Sequence, residues 1–132
     1  MQGAVSAILD AISQAKKPAV LVDCLIQRHN SVKELKELVE KLQLPVYTTT
    51  MGKGIVDDTN PLVVGVYNGR VSSPGLSEEF ESSDLVLMFG NLPADTNTGG
   101  FSRKLEMGTT IDFKPNEVVV SACFNTTTGP CY

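Results

Sequence analysis

The sequence predicts an α/β fold: a Rossmann-like open parallel sheet flanked by helices, in a single three-layer domain. Two short apolar runs, Pro18–Asp23 and Asp84–Gly90, have the continuous hydrophobicity of strands buried on both faces of a parallel sheet. Segments with helical periodicity alternate with strand candidates along the chain, which is typical of this fold class. The 132 residues suffice for one domain with one core, and no internal repeat divides them.

The first third of the chain predicts two helices and two strands. Apolar residues recur at helical spacing from Ala4 to Ala15, and a strand follows from Ala19 to Asp23. A second helix runs from Ser31 to Leu42, and Ser31 and Glu34 have the spacing of a capping box. Val46–Thr49 is rich in β-branched and aromatic residues, so we expect a strand there.

The remaining elements are shorter. Leu62–Tyr67 is expected to be extended, and Ser73-Pro74 fits an N-cap followed by the first residue of a helix that ends near Ser82. Thr109–Phe113 and Val118–Val120 are the last strand candidates. Too few residues separate them for a helical crossover, so they form a hairpin, form one bent segment, or are not neighbours.

The periodic pattern ends at Val120. We therefore divide the chain into one domain, residues 1–120, and a divergent tail, residues 121–132, which we expect to be poorly ordered. Apolar surface on the domain should then remain uncovered, and such surface favours association.

Composition excludes several classes of function. The net charge is −4 and no basic cluster exceeds Lys16-Lys17, so we expect no nucleic-acid binding. No apolar run approaches the roughly 20 residues that span a bilayer, so we expect no membrane partner. The N-terminus lacks the pattern of a signal peptide. Three cysteines without a spaced framework indicate a reducing, cytoplasmic location.

The end of the first strand offers the first candidate site. Open α/β sheets bind ligands outside the carboxyl ends of their strands, so Asp23 is a candidate ligand residue. Arg28 and His29 follow on the same loop as Cys24, and a thiol near cations has a depressed pKa. The alternative is a small buried cysteine beside a surface Arg–His pair.

Two further loops carry polar candidates. Lys53 lies between Gly52 and Gly54 at a strand end, which would suit an anion, although a tight turn has the same pattern. Asn91, Asp95 and Asn97 lie in the loop after the second apolar run and could bind a polar ligand. Such residues also fill loops simply by forming their own turns.

No catalytic or metal-binding set is recognisable. The loop after Asp23 has no glycine, whereas a dinucleotide fingerprint needs glycines for close approach to a pyrophosphate. One histidine and scattered cysteines give no set of metal ligands. We therefore assign no catalytic residue and no metal site.

Five segments, taken together and in this order and spacing, closely resemble the middle domain of fungal-type pyruvate decarboxylase over about residues 5–120. They are Pro18–Asp23 with Arg28-His29, Thr50–Gly54, Gly65–Gly69, Glu81–Leu87 and Asp95–Ser102. The resemblance implies a lyase that uses thiamine diphosphate and Mg²⁺ to convert pyruvate into acetaldehyde and carbon dioxide. It also implies three α/β domains in the whole enzyme.

In that family the middle domain neither activates the cofactor nor holds its diphosphate. The first domain carries the activating glutamate, and the third carries a Gly-Asp-Gly…Asn motif, of which the Gly-Asp-Gly is absent here. The resemblance therefore implies that this chain holds no cofactor. It also implies that the chain contacts other domains or subunits of the decarboxylase and associates with itself. Relatives with the same middle domain hold FAD or ADP there.

Two positions depart from the family pattern. Leu25 stands where yeast enzymes of the family have a regulatory cysteine, with Cys24 one residue earlier, and Pro115 replaces the family's effector-side serine. Both departures argue against activation through a thiol, although Arg28 and His29 match and remain candidate effector residues.

The leading hypothesis is a fragment, or isolated central domain, of a pyruvate decarboxylase, with a structural or regulatory role and no catalysis of its own. The alternatives are a stand-alone module that binds ADP or FAD, and an interaction protein that docks on full-length decarboxylase subunits.

Overall fold

A computed structural model describes residues 2–105 and 108–121, and it has the predicted α/β, Rossmann-like architecture. One mixed sheet of six strands is flanked by helices. The elements in chain order are α1 (Gln2–Gln14), β1 (Pro18–Val22), α2 (Leu25–Arg28), α3 (Val32–Leu42), β2 (Val46–Thr48), β3 (Val63–Val66), α4 (Leu76–Glu81), β4 (Leu85–Phe89), β5 (Thr110–Phe113) and β6 (Val118–Val120).

The strand order is β3-β2-β1-β4-β5-β6, so the two apolar runs form neighbouring strands at the centre. The pairs from β3 to β5 are parallel. Val20 lies opposite Val46 of β2 on one side and Leu87 of β4 on the other. Val20 and Val86 are fully buried, which confirms the prediction that these runs lie inside a parallel sheet.

Each face of the sheet has its own apolar cluster. On one face, Ala11 of α1 and Leu35 and Val39 of α3 pack with alternate residues of the strands. On the other, Phe80 of α4 lies against Tyr47 at a ring-centroid distance of 4.6 Å. One cluster lies between the sheet and helices α1 and α3, and the other lies between the sheet and α4. The domain therefore has three layers: helix, sheet and helix.

The last two strands form a hairpin, which was one of the three alternatives. β5 and β6 are antiparallel, with Ile111 opposite Val120 and Phe113 opposite Val118. The Lys114 amide donates to the Glu117 carbonyl at 2.9 Å and closes the turn. A connection this short suits an antiparallel pair only.

The predicted capping box at the start of α3 is wrong. Ser31 occupies the N-cap position, but its side chain makes no capping hydrogen bond. Its hydroxyl instead donates to the His29 carbonyl at 3.2 Å. Helix α2, which the sequence did not predict, ends at Arg28, and the carbonyl of its C-cap residue His29 accepts from the Ser31 hydroxyl in place of a capping contact.

The predicted start of α4 is also wrong. The helix begins at Leu76, not beside Ser73, and the Leu76 amide donates to the Ser73 carbonyl at 3.1 Å. Gly75 has φ 81° and ψ −18°, the conformation of the third residue of a type II turn. Pro74-Gly75 is thus a turn that precedes the helix, because Pro and Gly favour its two central positions.

The predicted tail falls almost wholly outside the described residues. Ser121 alone is described, and its amide donates to the Thr110 carbonyl at 2.8 Å, which extends the β5–β6 pairing by one residue. The expectation of poor order for residues 121–132 stays a prediction.

Two neighbouring threonines give a stability test of this fold. Both are fully buried, but the Thr48 hydroxyl has no partner among the described residues, whereas the Thr49 hydroxyl donates to Asp23 at 2.6 Å. We expect Thr48→Val to raise the free energy of unfolding by about 1 kcal/mol, because it removes an unsatisfied buried hydroxyl. We expect Thr49→Val to lower it by about 2 kcal/mol, because it removes one hydrogen-bond donor from the buried carboxylate of Asp23. Urea denaturation of both variants measures the difference; equal losses would contradict the assignment.

Candidate functional site

The candidate site is the crevice outside the carboxyl ends of β1 and β4. From β1 the chain passes to β2, which lies on one side of β1 in the sheet. From β4 it passes to β5, which lies in the opposite direction, so β1 and β4 flank a topological switch point. Ligands of open α/β sheets bind in such crevices. Asp23 follows β1 there, Thr49 follows β2, and Asn91 lies two residues beyond β4.

The side chain of Asp23 is fully buried in this crevice and accepts four hydrogen bonds. Its Oδ1 accepts from the Cys24 amide and from the Thr49 hydroxyl, both at 2.6 Å. Its Oδ2 accepts from the Leu92 amide at 2.8 Å and from Asn97 Nδ2 at 2.7 Å. Each oxygen thus has two protein donors, and the carboxyl group links the loops that follow β1, β2 and β4.

Asn97 extends this network to the loop after β2. Its Nδ2 donates also to the Leu92 carbonyl at 3.0 Å, and its Oδ1 accepts from the Met51 amide at 3.0 Å. The side chain is fully buried. Asn97 therefore holds the 49–54 loop and the 91–105 loop together over the end of β1.

Arg103 closes the same loop from the other side. Its Nη1 donates to Asn91 Oδ1 and its Nη2 donates to the Asn97 carbonyl, both at 2.9 Å. Its guanidinium carbon lies 5.7 Å from the centre of the Tyr67 ring. Burial lowers the pKa of Arg103, and the charge of Asp23 opposes that shift. The arginine is thus the cation that compensates the buried carboxyl group.

The thiol of Cys24 does not have the environment of a reactive cysteine. Cys24 is 6% exposed, and burial first, then the charge of Asp23, raises the pKa of its thiol. Arg28 lowers that pKa, but its effect is smaller. Arg28 and His29 both lie exposed at the end of α2. The arrangement is that of a buried cysteine beside a surface Arg–His pair.

Gly52 and Lys53 take separate roles. A Cβ atom at Gly52 would lie 2.4 Å from the Val22 carbonyl oxygen, so only glycine lets this loop approach the end of β1. Lys53 is exposed, and its Nζ lies 4.0 Å from Asp58 Oδ2. The backbone here packs against β1, while the cation lies on the surface beside an acidic side chain.

The other two polar candidates after β4, Asn91 and Asp95, have different environments. Asn91 is half-buried and its Oδ1 is occupied by Arg103. Asp95 is exposed, its Oδ1 accepts from the Thr96 amide at 2.7 Å, and its carbonyl accepts from the Gly100 amide at 2.8 Å. Asp95 thus shapes its own turn, whereas Asn91 belongs to the buried network.

The structure also brings in residues that the sequence did not single out. Thr49 and Arg103 complete the network, and Asp112 of β5 borders it. No sequence pattern points to them, since a lone threonine or arginine in a loop has no characteristic spacing. Their roles depend on contacts across the sheet edge.

Three surface cavities of 350, 320 and 190 Å³ lie away from this crevice, and none of the three is lined by Asp23 or Asn97. Within residues 2–105 and 108–121, no three His, Cys, Asp or Glu side chains group so that they could hold a metal ion. In the same part of the chain, no helix is long and apolar enough to cross a membrane.

A family model described as thiamine pyrophosphate enzyme, central domain, matches residues 5–126. The chain belongs to this family. That finding confirms the resemblance recognised in the sequence, and the matched segment runs past Val120 to Thr126.

Individual relatives agree with the family match. A pyruvate decarboxylase of Candida albicans is 45% identical over 102 residues, 77% of this chain. Pyruvate decarboxylases of Kluyveromyces marxianus and Aspergillus terreus are 41% and 42% identical over 86% and 88% of it. The matched segments are only 18–20% of these relatives, so the chain spans about a fifth of their length.

Asp23→Asn tests the buried network. An amide presents two N–H groups where four donors now converge, so we expect the free energy of unfolding to fall by about 3 kcal/mol. Asp95→Asn is the matched control, because Asp95 is exposed and an amide oxygen can replace its one acceptor; we expect a change within about 0.5 kcal/mol. Urea denaturation compares the two, and equal effects would show that Asp23 does not organise the crevice.

Asp112 gives a pH-dependent test. Burial raises the pKa of its carboxyl group above the usual 3.8, with Lys114 and Asn91 partly opposing the shift. The folded chain thus holds this proton more tightly than the unfolded chain, and stability falls as the pH rises through the folded pKa. We expect Asp112→Asn to be more stable than wild type at pH 7, with the difference vanishing below about pH 3.8. Thermal melts from pH 3 to pH 8 measure it; a less stable variant at pH 7 would contradict the prediction.

Proposed function

We propose that this chain serves as the central domain of a pyruvate decarboxylase, with a structural role and no catalysis of its own. The observation that carries the proposal is the closure of the switch-point crevice by the chain's own side chains around Asp23. A site filled in this way supports a domain that contributes rigid surfaces to the enzyme. The similarity to pyruvate decarboxylases supplies the identity of that enzyme.

The alternative of a stand-alone ADP- or FAD-binding module is not favoured. A ligand entering the crevice would displace the donors of Asp23, and the backbone at Gly52 already lies against the end of β1. Helix α2 also lies close to the end of β4, since a Cβ atom at Gly90 would be 2.5 Å from the Ile26 amide nitrogen. Both loops that could admit a nucleotide are therefore occupied by protein contacts.

The family name supplies thiamine pyrophosphate as the cofactor of the whole enzyme. The described residues do not fit a diphosphate or its metal, because all four hydrogen bonds of the buried Asp23 carboxyl group go to protein donors. Asp95 bonds within its own turn. We propose that other parts of the decarboxylase hold thiamine diphosphate and Mg²⁺, and that pyruvate is converted there into acetaldehyde and carbon dioxide.

We propose other domains or subunits of the decarboxylase as the partners, with the outer face of α1 as one contact. α1 has a single charged residue, Asp10, and exposes Val5 by 53% and Leu9 by 57%. The exposed positions of α3, in contrast, are all charged. Protein contact surfaces are depleted in charge at their centres. Because the chain spans a fifth of its relatives, enough polypeptide exists in a whole decarboxylase to cover this face. Self-association through the same face, and docking of the free chain on full-length subunits, are weaker alternatives.

A regulatory role would involve Arg28 and His29, which are exposed beside the closed crevice. The environment of Cys24 argues against activation through its thiol, because burial raises its pKa. We also propose a cytoplasmic location, without a nucleic-acid or membrane partner. The free, buried Cys24 and the net charge of −4 support this location and these exclusions.

The purified chain, given thiamine diphosphate, Mg²⁺ and pyruvate, should form no acetaldehyde in an assay coupled to alcohol dehydrogenase. A heat-treated sample sets the background. Turnover above that background, persisting after removal of contaminating enzyme, would overturn the proposal of a non-catalytic domain.

Isothermal titration calorimetry with ADP and with FAD tests the alternative separately. We expect no binding heat with either ligand. Saturable binding that is lost in Asn97→Leu would show that the crevice opens for a nucleotide and would replace the structural role by a binding role.

A further inference from the structure

A surface cavity of 320 Å³ lies beside α4, away from the closed crevice. Its walls are the segment between β3 and α4, the outer side of α4 itself, and the end of the 91–105 loop. Four serines, two cations and two acids are among the residues that line it. The cavity is therefore suited to a charged, hydrogen-bonding group and not to an apolar ligand.

Three of the four serine hydroxyls in this cavity are engaged within the fold. Ser72 donates to the Gly69 carbonyl at 2.7 Å, and Ser77 donates to the same carbonyl. Ser102 donates to a carbonyl of its own loop at 2.7 Å. Ser73, in contrast, is exposed, and its hydroxyl has no hydrogen-bond partner within residues 2–105 and 108–121. Ser73 thus carries the one free hydroxyl among the cavity's serines.

Ser73 has the sequence context of a kinase substrate. Pro74 follows it directly and Arg70 lies three residues before it. Ser73-Pro74 is the single place in the 132 residues where a serine or threonine precedes a proline. Proline-directed serine kinases select that pair, and a basic residue before the acceptor is one of the charge patterns that kinases read. The pair does not start α4, so the fold gives it no other role than the turn.

The local backbone is also accessible to a kinase. Residues 67–75 contain no helix and no strand, and Ser73 and Pro74 are both exposed. The backbone contact of Ser73 is the single turn bond from the Leu76 amide to its carbonyl, at 3.1 Å. An exposed loop of this kind can enter an enzyme's cleft without unfolding the core.

Arg70 and Lys104 bring two positive charges to the same cavity. Both side chains are exposed, and neither forms a salt bridge in the part of the chain that the structure describes. A phosphate group placed beside such cations forms charge-assisted hydrogen bonds with them. The two long side chains are therefore available to a phosphate on the neighbouring Ser73.

The two acids of the cavity oppose a phosphate less than their number implies. Glu81 Oε1 accepts from the Tyr67 hydroxyl at 2.5 Å and from the Lys104 amide at 3.0 Å, so its carboxylate is directed at donors of the fold. Glu78 lies exposed in the first turn of α4. Its charge is screened by water and salt, and its side chain can turn outward.

We propose that Ser73 is a phosphorylation site and that Arg70 and Lys104 hold its phosphate group. A proline-directed serine kinase supplies the phosphoryl group from ATP. A bond forms between Ser73 Oγ and the γ-phosphorus, and the bond from that phosphorus to the β–γ bridging oxygen breaks. ADP leaves with that oxygen, and the hydroxyl proton passes to a base of the kinase.

The phosphate joins two parts of the chain that carry the cations. Arg70 belongs to the segment after β3, and Lys104 belongs to the 91–105 loop that closes the crevice. Pairing with both cations therefore ties that loop to the segment between β3 and α4. The site depends on these side chains alone, and it holds whether or not the proposed function is correct.

Incubation of the whole folded chain with a proline-directed kinase of the mitogen-activated class and Mg·ATP tests the acceptor. We expect peptide mass spectrometry to find one phosphate, on Ser73. Pro74→Ala should lower the initial rate by about tenfold, since it removes a specificity contact. Pro61→Ala is the matched control, an exposed turn proline that follows no hydroxyl residue, and should leave the rate unchanged. Absence of incorporation, phosphate on another residue, or incorporation that needs unfolding in urea would overturn the proposal.

Phosphorus-31 nuclear magnetic resonance of the phosphorylated chain tests the two cations. Positive charges favour the dianion, so the second pKa of the phosphoserine should be lower by about 0.5 in the folded chain than in the same chain unfolded in urea. Arg70→Gln and Lys104→Gln should each remove part of that difference. Lys53→Gln, which changes an exposed lysine outside the cavity, should keep it. Equal pKa values in the two states, or a difference that both cavity variants leave intact, would show that these cations do not hold the phosphate.

Discussion

The buried carboxyl group of Asp23 is the interaction on which the site end of this molecule depends. An acid that loses contact with water is destabilising unless donors replace the water, and here four protein donors do so. Those donors come from three loops that follow three different strands. One side chain therefore decides where the 49–54 and 91–105 loops lie, and Arg103 adds the compensating positive charge.

This constraint changes what a Rossmann-like switch point does. The same crevice holds ligands in many open α/β sheets because the loops after the strands leave it open. In this chain the loops turn inward, and glycine at position 52 lets the backbone approach the end of β1. The topology of a binding fold is retained while its site becomes part of the core. Fold class alone would have predicted the opposite function.

The outer faces of the two long helices, α1 and α3, differ in charge. α1 and α3 pack their inner faces on the same apolar cluster, yet only α3 presents a charged outer face. Val5 and Leu9 remain exposed on α1. A helix whose outer face is in contact with water carries charged residues there, as α3 does. The apolar outer face of α1 is consistent with a domain that lies within a larger enzyme.

The sequence by itself determined the fold class, the central strands and the family. Continuous, β-branched apolar runs such as Val20–Val22 are typical of strands buried on both faces of a sheet, so their central position could be predicted from local sequence. Only the tertiary structure decided the fate of Asp23, the partners of Arg103 and the turn at Pro74-Gly75. Residues 23, 49, 97 and 103 are far apart in the chain, and no periodicity connects them. Their hydrogen bonds exist because parallel strands bring their carboxyl ends to one edge, which is a property of the folded sheet.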